Sequence, residues 1–133
     1  MSAAFDTVDH DILLQRLENK FGISGTALDW FRSYLTDRSF EVNNGIGSSK
    51  NVQLVCSVPQ GSVLGPVLFI LYTDELVDIA QSLGLEIHIY ADDTQLYIHV
   101  KPSNVSAAVQ TLERTFQAIE QWLTSSRLKL NMD

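Results

Sequence analysis

The stretch IHIYADDTQLYIHV, residues 87–100, sets the adjacent carboxylates Asp92 and Asp93 between two runs that alternate apolar and polar side chains. Alternation with a period of two marks half-buried strands. The stretch therefore reads as a β-hairpin over residues 86–90 and 95–100, turning at 91–94. Aspartate is common in turns because its side chain accepts hydrogen bonds from nearby backbone N–H groups. Two carboxylates on a rigid tip also repel each other, and a divalent cation would relieve that repulsion. Mg2+ favours sites of one or two carboxylates completed by phosphate oxygens and water. The flanking Tyr90, Ala91, Leu96 and Ile98 mark a packed hairpin rather than a loose loop. A polar turn and a pair of metal ligands both fit these residues alone.

Outward from the hairpin, the pattern is helical on either side. Val105, Ala108, Leu112, Phe116, Ile119 and Leu123 step by three and four, which predicts a long amphipathic helix preceded by Pro102 and capped by Ser103. Before the hairpin, Pro66 occupies a first-turn position, and Val67, Leu68, Leu71, Leu76 and Ile79 predict one helix buried on most sides. Upstream, RSFEVNNGIGSSKNVQLVCSV contains an Asn-Gly turn signal and predicts a hairpin with a soft loop around residues 43–50. Leu13, Leu17 and Phe21 predict a helix over residues 9–20, capped by Asp6 or Thr7. Gly22 stops it and Ser24 caps a second helix, carried by Leu28, Phe31, Tyr34 and Leu35 and ending near Asp37. The order ααββαββα predicts an α+β fold in which helices cover one face of an antiparallel sheet.

Composition sets the outer limits. A chain of 133 residues, 45% hydrophobic and 19% charged, suits a single domain over residues 1–133 with a real core. The one cysteine, Cys56, cannot pair within the chain and reads as a small buried apolar residue in a reducing compartment. No basic region followed by an apolar run opens the chain. The densest apolar stretch, VLFILY, is far shorter than the roughly 20 residues a membrane span needs. The expectation is a chain that is not secreted and does not enter a membrane, located in the nucleus or cytoplasm. The net charge of −7, with nine basic residues scattered singly, speaks against tight independent binding of DNA or RNA.

Two further elements could carry chemistry. In Pro59-Gln60-Gly61-Ser62, Gly61 allows close backbone approach to a ligand and Gln60 offers an amide that both donates and accepts. As an ordinary structure, the same residues are a turn before a helix. Ser2-Ala3-Ala4-Phe5-Asp6 reads locally as a strand end with a core aromatic and a helix cap.

In combination these elements are far more specific. SAAFDTVDHDILL, SVPQGSVLGPVLFILY and YADDTQLY, in that order, resemble the reverse transcriptases of non-LTR (LINE-like) retrotransposons. The resemblance extends through FGISGTALDWFRSYLTDR and WLTSSRLKLN over essentially the whole chain. It implies a polymerase palm, a small antiparallel sheet backed by helices, and RNA-directed DNA polymerase activity by two-metal nucleotidyl transfer onto a primer 3′-hydroxyl. Asp92 and Asp93 match the family's catalytic, metal-binding pair, with Mg2+ or Mn2+ as cofactor. Gln60 and Gly61 match residues that line the incoming nucleotide and template. Phe5 matches the aromatic beneath the nucleotide sugar, and Tyr90 of YADD joins them at the substrate. RNA template, DNA primer and deoxynucleoside triphosphates are the implied partners.

The match also has edges. In the family the first motif begins with an aspartate, the third metal ligand, which here would fall just before Met1; Asp6 matches a later position. LKLNMD resembles the start of a further motif whose lysine would follow Asp133. The resemblance therefore implies a palm truncated at both ends and an incomplete, inactive fragment. The alternative is a non-catalytic retroelement remnant that binds protein or nucleic acid weakly. A palm of the nucleotidyl-cyclase type would explain the sheet and acidic tip but leaves PQGSVLGP without a place.

Overall fold

The structure, a computed structural model, describes residues 4–90 and 93–128. A short 3-10 turn, Ala4–Asp6, leads into α1 (His10–Asn19), which buries Leu13, Leu14 and Leu17 at the predicted spacing. Its cap is Asp9, whose carboxylate accepts from the Ile12 N–H at 3.0 Å, rather than the expected Asp6 or Thr7. The helix ends as expected at Gly22, where φ is 69° and Ile23 returns its N–H to the Leu17 carbonyl at 2.9 Å. In α2 (Thr26–Leu35) the cap position is Gly25, with no side-chain bond, so Ser24 does not cap it. This helix packs on α1 and buries Leu28 and Leu35.

The predicted first hairpin forms as two short antiparallel strands, β1 (Ser39–Phe40) and β2 (Val52–Gln53), in the register Phe40↔Val52. Its loop is organised by asparagines: Asn43 Oδ1 accepts from Gly45 N at 2.8 Å, and Asn44 Oδ1 accepts from Ile46 N and Gly47 N. Side chains here do the work that a longer ladder would otherwise do.

The single helix expected after Pro66 is two: α3 (Leu64–Thr73) and α4 (Glu75–Ser82), separated at Asp74. The Thr73 hydroxyl donates to the carbonyls of Phe69 and Ile70, and Val77 N–H closes a tighter turn onto the Asp74 carbonyl at 3.0 Å. A threonine that bonds the preceding turn weakens the helix ladder locally, and here that bond sits beside the tighter turn where α3 gives way to α4. Hydrophobic spacing continues across the break, so periodicity alone could not show it.

The second hairpin pairs β3 (Glu86–Tyr90) with β4 (Asp93–Tyr97), antiparallel, from Glu86↔Tyr97 to Tyr90↔Asp93. β4 thus begins two residues earlier than alternation predicts. Ile87, Ile89 and Leu96 pack on the core, and β3 lies against α4. After the 3-10 turn Pro102–Asn104 comes α5 (Val105–Ser125), close to its predicted span. Ser103 donates to Asn104 Oδ1 at 3.0 Å instead of capping the helix.

The architecture is α+β, but among the described residues the strands form two separate two-stranded sheets rather than one. The helices share a core that includes Val8, Leu17, Leu35, Leu68, Phe69, Tyr72, Leu76 and Leu123. Arg16 ties four helices together within it. Its guanidinium donates to the Tyr72 carbonyl at 2.6 Å and to Ser126 Oγ at 2.8 Å, and pairs with Glu75 at 2.9 Å. It also lies over the rings of Tyr72 and Trp122, 4.7 and 4.8 Å from their centroids. Trp122 Nε1 donates to the same Glu75 carboxylate at 2.7 Å. Burial raises the Tyr72 hydroxyl above its usual pKa, and that hydroxyl donates to the Ser126 carbonyl at 2.6 Å. Among the described residues no helix is long and apolar enough to cross a membrane.

Candidate functional site

The N-terminal turn and the segment before α3 are hydrogen-bonded to each other although about fifty residues separate them in sequence. Ser57 N–H donates to the Val8 carbonyl at 2.8 Å, and Val58 N–H to the Phe5 carbonyl at 2.9 Å. Asp9 and Cys56 form an isolated antiparallel bridge. Cys56 is half-buried, not the fully buried apolar residue expected, and its thiol donates to the Asp6 carbonyl at 3.1 Å. These contacts hold Phe5 beside Pro59, Gln60, Gly61 and Pro66, which together line a cavity of about 270 Å3.

Each wall of that cavity has a local cause. Phe5 is half-buried and its ring leans on Phe69 of α3, with centroids 5.0 Å apart. The exposed Gln60 is oriented by Asp6, whose Oδ1 accepts from Nε2 at 2.9 Å. Gly61 has φ 77°, a left-handed conformation that favours glycine. Ser62 N–H and Oγ both donate to the Pro59 carbonyl, at 3.2 and 2.7 Å, and Ser62 Oγ accepts from Gly65 N at 2.9 Å. The turn is thereby fixed at the start of α3. Its Gln60 keeps one amide oxygen and part of its amino group for a ligand.

The hairpin contributes elsewhere. Tyr90 is 76% exposed and lines a second cavity, of about 470 Å3, with Ile70, Thr73, Asp74, Val77, Ile87 and Ile89. Asp93 stands exposed at the head of β4, directly opposite Tyr90. Asp92 lies outside the described residues, as do Ser2, Ala3 and residues 129–133. Phe5, Gln60 and Gly61 are thus brought together, whereas Tyr90 faces a different cavity. Among the described residues no three histidine, cysteine or acidic side chains converge as a metal site would require.

Two features of this site were not visible in the sequence. One is Asp6, which reads locally as a helix cap but orients Gln60. The other is Ser57, buried with φ 97°, whose carbonyl accepts from His10 Nε2 at 2.8 Å and Arg38 Nη1 at 3.2 Å. These pairs are distant in sequence, and no local pattern announces them.

The family model described as reverse transcriptase (RNA-dependent DNA polymerase) matches residues 1–133. The chain belongs to the reverse transcriptase family. It is 29% identical over 135 residues to the RNA-directed DNA polymerase from mobile element jockey of Drosophila melanogaster, covering 98% of this chain and 14% of that protein. It is 31% identical over 138 residues to the probable RNA-directed DNA polymerase from transposon BS of the same organism, covering 98% and 15%. It is also 36% identical over 74 residues to the retrovirus-related Pol polyprotein from type-1 retrotransposable element R2 of Popillia japonica, covering 56% and 12%. The chain thus spans about a seventh of the length of the two Drosophila relatives. The resemblance to non-LTR retroelement polymerases stated above therefore holds.

Proposed function

We propose that this chain is the palm segment of an RNA-directed DNA polymerase, in which Phe5, Gln60 and Gly61 face the incoming deoxynucleotide and Asp92 and Asp93 are the catalytic carboxylates. The observation that carries this reading is the docking of the Phe5–Asp6 segment onto residues 57–61. It builds one cavity from two motifs far apart in the chain. A flat apolar wall at Phe5 and an amide at Gln60 suit a sugar and a base edge. Left-handed Gly61, whose added Cβ would meet nothing within 4 Å, leaves the backbone open to close approach.

The donor chemistry of the hairpin fits a divalent cation. Asp93 is exposed at the strand head, and adjacent aspartates supply the hard oxygen donors that suit Mg2+ or Mn2+. Asp92 and Asp93 would hold such an ion, whose positive charge would stabilise phosphoryl oxygens and lower the pKa of a primer hydroxyl. The chain's own part is positional. Phe69 backs Phe5, Asp6 aims Gln60, and Ser62 locks the turn, so that little reorganisation remains when substrate arrives. RNA template, DNA primer and deoxynucleoside triphosphates are the substrates this reading assigns.

The net charge of −7 favours a second reading, a non-catalytic retroelement remnant with weak nucleic-acid affinity. Primer extension on a primed RNA template with Mg2+ or Mn2+, comparing the chain with Asp92→Ala, separates the two. Incorporation that disappears in the variant supports the polymerase. Incorporation no higher than the variant's background retires it for this chain.

A further inference from the structure

We propose that His10 and Arg38 are positioning residues for the nucleotide-facing turn 59–61, acting through the carbonyl of Ser57. The inference rests on the nucleotide reading of the Phe5–Gln60–Gly61 cavity and adds residues that lie outside it.

Ser57 is buried, carries a side chain, and sits at φ 97°, where side-chain-bearing residues are costly to hold. Such a conformation persists only when its surroundings over-determine it. Here they hold the peptide units on both sides of its Cα: the Ser57 N–H donates to the Val8 carbonyl at 2.8 Å, and the following unit is held at both ends. The carbonyl of Ser57 and the N–H of Val58 belong to the same planar group and point in opposite directions. On one side the N–H docks on the Phe5 carbonyl at 2.9 Å. On the other, His10 and Arg38 hold the oxygen at 2.8 and 3.2 Å. A carbonyl only accepts, so His10 Nε2 carries the proton in this contact. Relaxing φ means moving one of these two peptide units against the other, and any movement of the second strains three bonds at once.

This peptide is also where the chain leaves its pairing with the N-terminal segment. Two residues later come Gln60 and Gly61. His10 is the first residue of α1 and Arg38 follows α2, so two helices fix the angle at which the turn departs. Neither side chain lines the cavity. Their effect on it passes through backbone alone, which makes them positioning residues rather than substrate contacts.

Titration of the chain with Mg2+–dTTP by calorimetry tests the inference. His10→Leu removes the donor and should weaken binding about tenfold, the scale of one lost buried hydrogen bond. His10→Gln keeps an N–H donor and should stay within about threefold of the unaltered chain, a difference of well under one such bond. Leu123→Ala, a distant core truncation, should lower the melting temperature yet bind as the unaltered chain does. Unchanged binding by His10→Leu, or equal weakening by Leu123→Ala, overturns the inference. Loss in Gln60→Ala with none in His10→Leu leaves the nucleotide site standing and removes the clamp. Absence of binding by the unaltered chain refutes the nucleotide reading instead. The clamp is then decided by amide exchange at Gln60 and Gly61. Faster exchange in His10→Leu but not in Leu123→Ala upholds it, and equal exchange overturns it.

Discussion

Replacing Gly65 by alanine sets two principles against each other. Gly65 is the second residue of α3, and a glycine in a helix costs up to about 1 kcal/mol relative to alanine, less near an end. On propensity alone the substitution stabilises. The tertiary structure reverses the sign. A Cβ built on Gly65 would stand 2.7 Å from the Pro59 carbonyl oxygen and 3.2 Å from Ser62 Oγ. The first contact is with backbone, which cannot swing away as the end of a side chain would. Overpacking of this kind costs about 1–3 kcal/mol, and weakening the Ser62 bonds to Pro59 and Gly65 adds about 1 kcal/mol. After subtracting the propensity gain, Gly65→Ala should destabilise by about 2 kcal/mol. With a slope of roughly 1–3 kcal/mol per molar in urea, the unfolding midpoint should fall by about 1 M. Gly61→Ala provides the contrast: open space around the added Cβ but φ 77°, hence a cost of about 1 kcal/mol from strain alone. A Gly65→Ala midpoint equal to or above that of the unaltered chain would refute the close approach of turn and helix.

Arg16→Met keeps the stem but removes both guanidinium hydrogen bonds and the two ring contacts. Allowing for the partial exposure of Glu75, it should cost about 3 kcal/mol, read as a loss of midpoint in the same titration; less than about 1 kcal/mol would show the node to be decorative. Burial opposes the charge on Lys20, yet hydrogen bonds and charges from Asp74 and Asp78 outweigh it and raise its pKa, as burial raises that of Tyr72. Both groups hold protons more tightly folded than unfolded. Their contribution is complete below the unfolded values of 10.5 and 10.0 and is lost as pH climbs through the folded ones. Stability followed from pH 9 upward should therefore decline less steeply in Lys20→Met, and identical slopes would contradict the assigned pairs. Added Mn2+ should broaden the amide signals of Tyr90 and Asp93 first. Broadening that persists in the Asp92→Ala, Asp93→Asn double variant would remove the hairpin as the cation site.

The helices were readable because burying one face of a 3.6-residue spiral leaves its spacing in the sequence. Leu13 and Leu17, Leu28 and Leu35, and Ile119 and Leu123 all lie buried at the expected steps. Their ends were read less well. Asp9 rather than Asp6 or Thr7 caps α1, and Ser24 and Ser103 cap nothing, because several polar residues precede each helix and packing selects among them. The break at Asp74 escaped for a similar reason: apolar spacing runs through it, and only the tighter turn closed by Val77 N–H on the Asp74 carbonyl reveals it. Among the described residues the single expected sheet is two hairpins, since alternation shows which residues face inward but not which strands are neighbours.

Within the candidate site the division is the same. Sequence alone supplied the reverse transcriptase family and the residue types at stake, because ordered motifs such as SAAFD, PQGS and YADD are properties of a string. Only the tertiary structure decided that Phe5 and Gln60 share a cavity, that Tyr90 faces another, and that Asp6 serves Gln60 rather than a helix. Only it placed His10 and Arg38 on the carbonyl of Ser57. Periodicity reports each residue's relation to solvent over a few turns of chain. Contacts spanning fifty residues are set by how helices and loops close-pack, and that packing leaves no local trace.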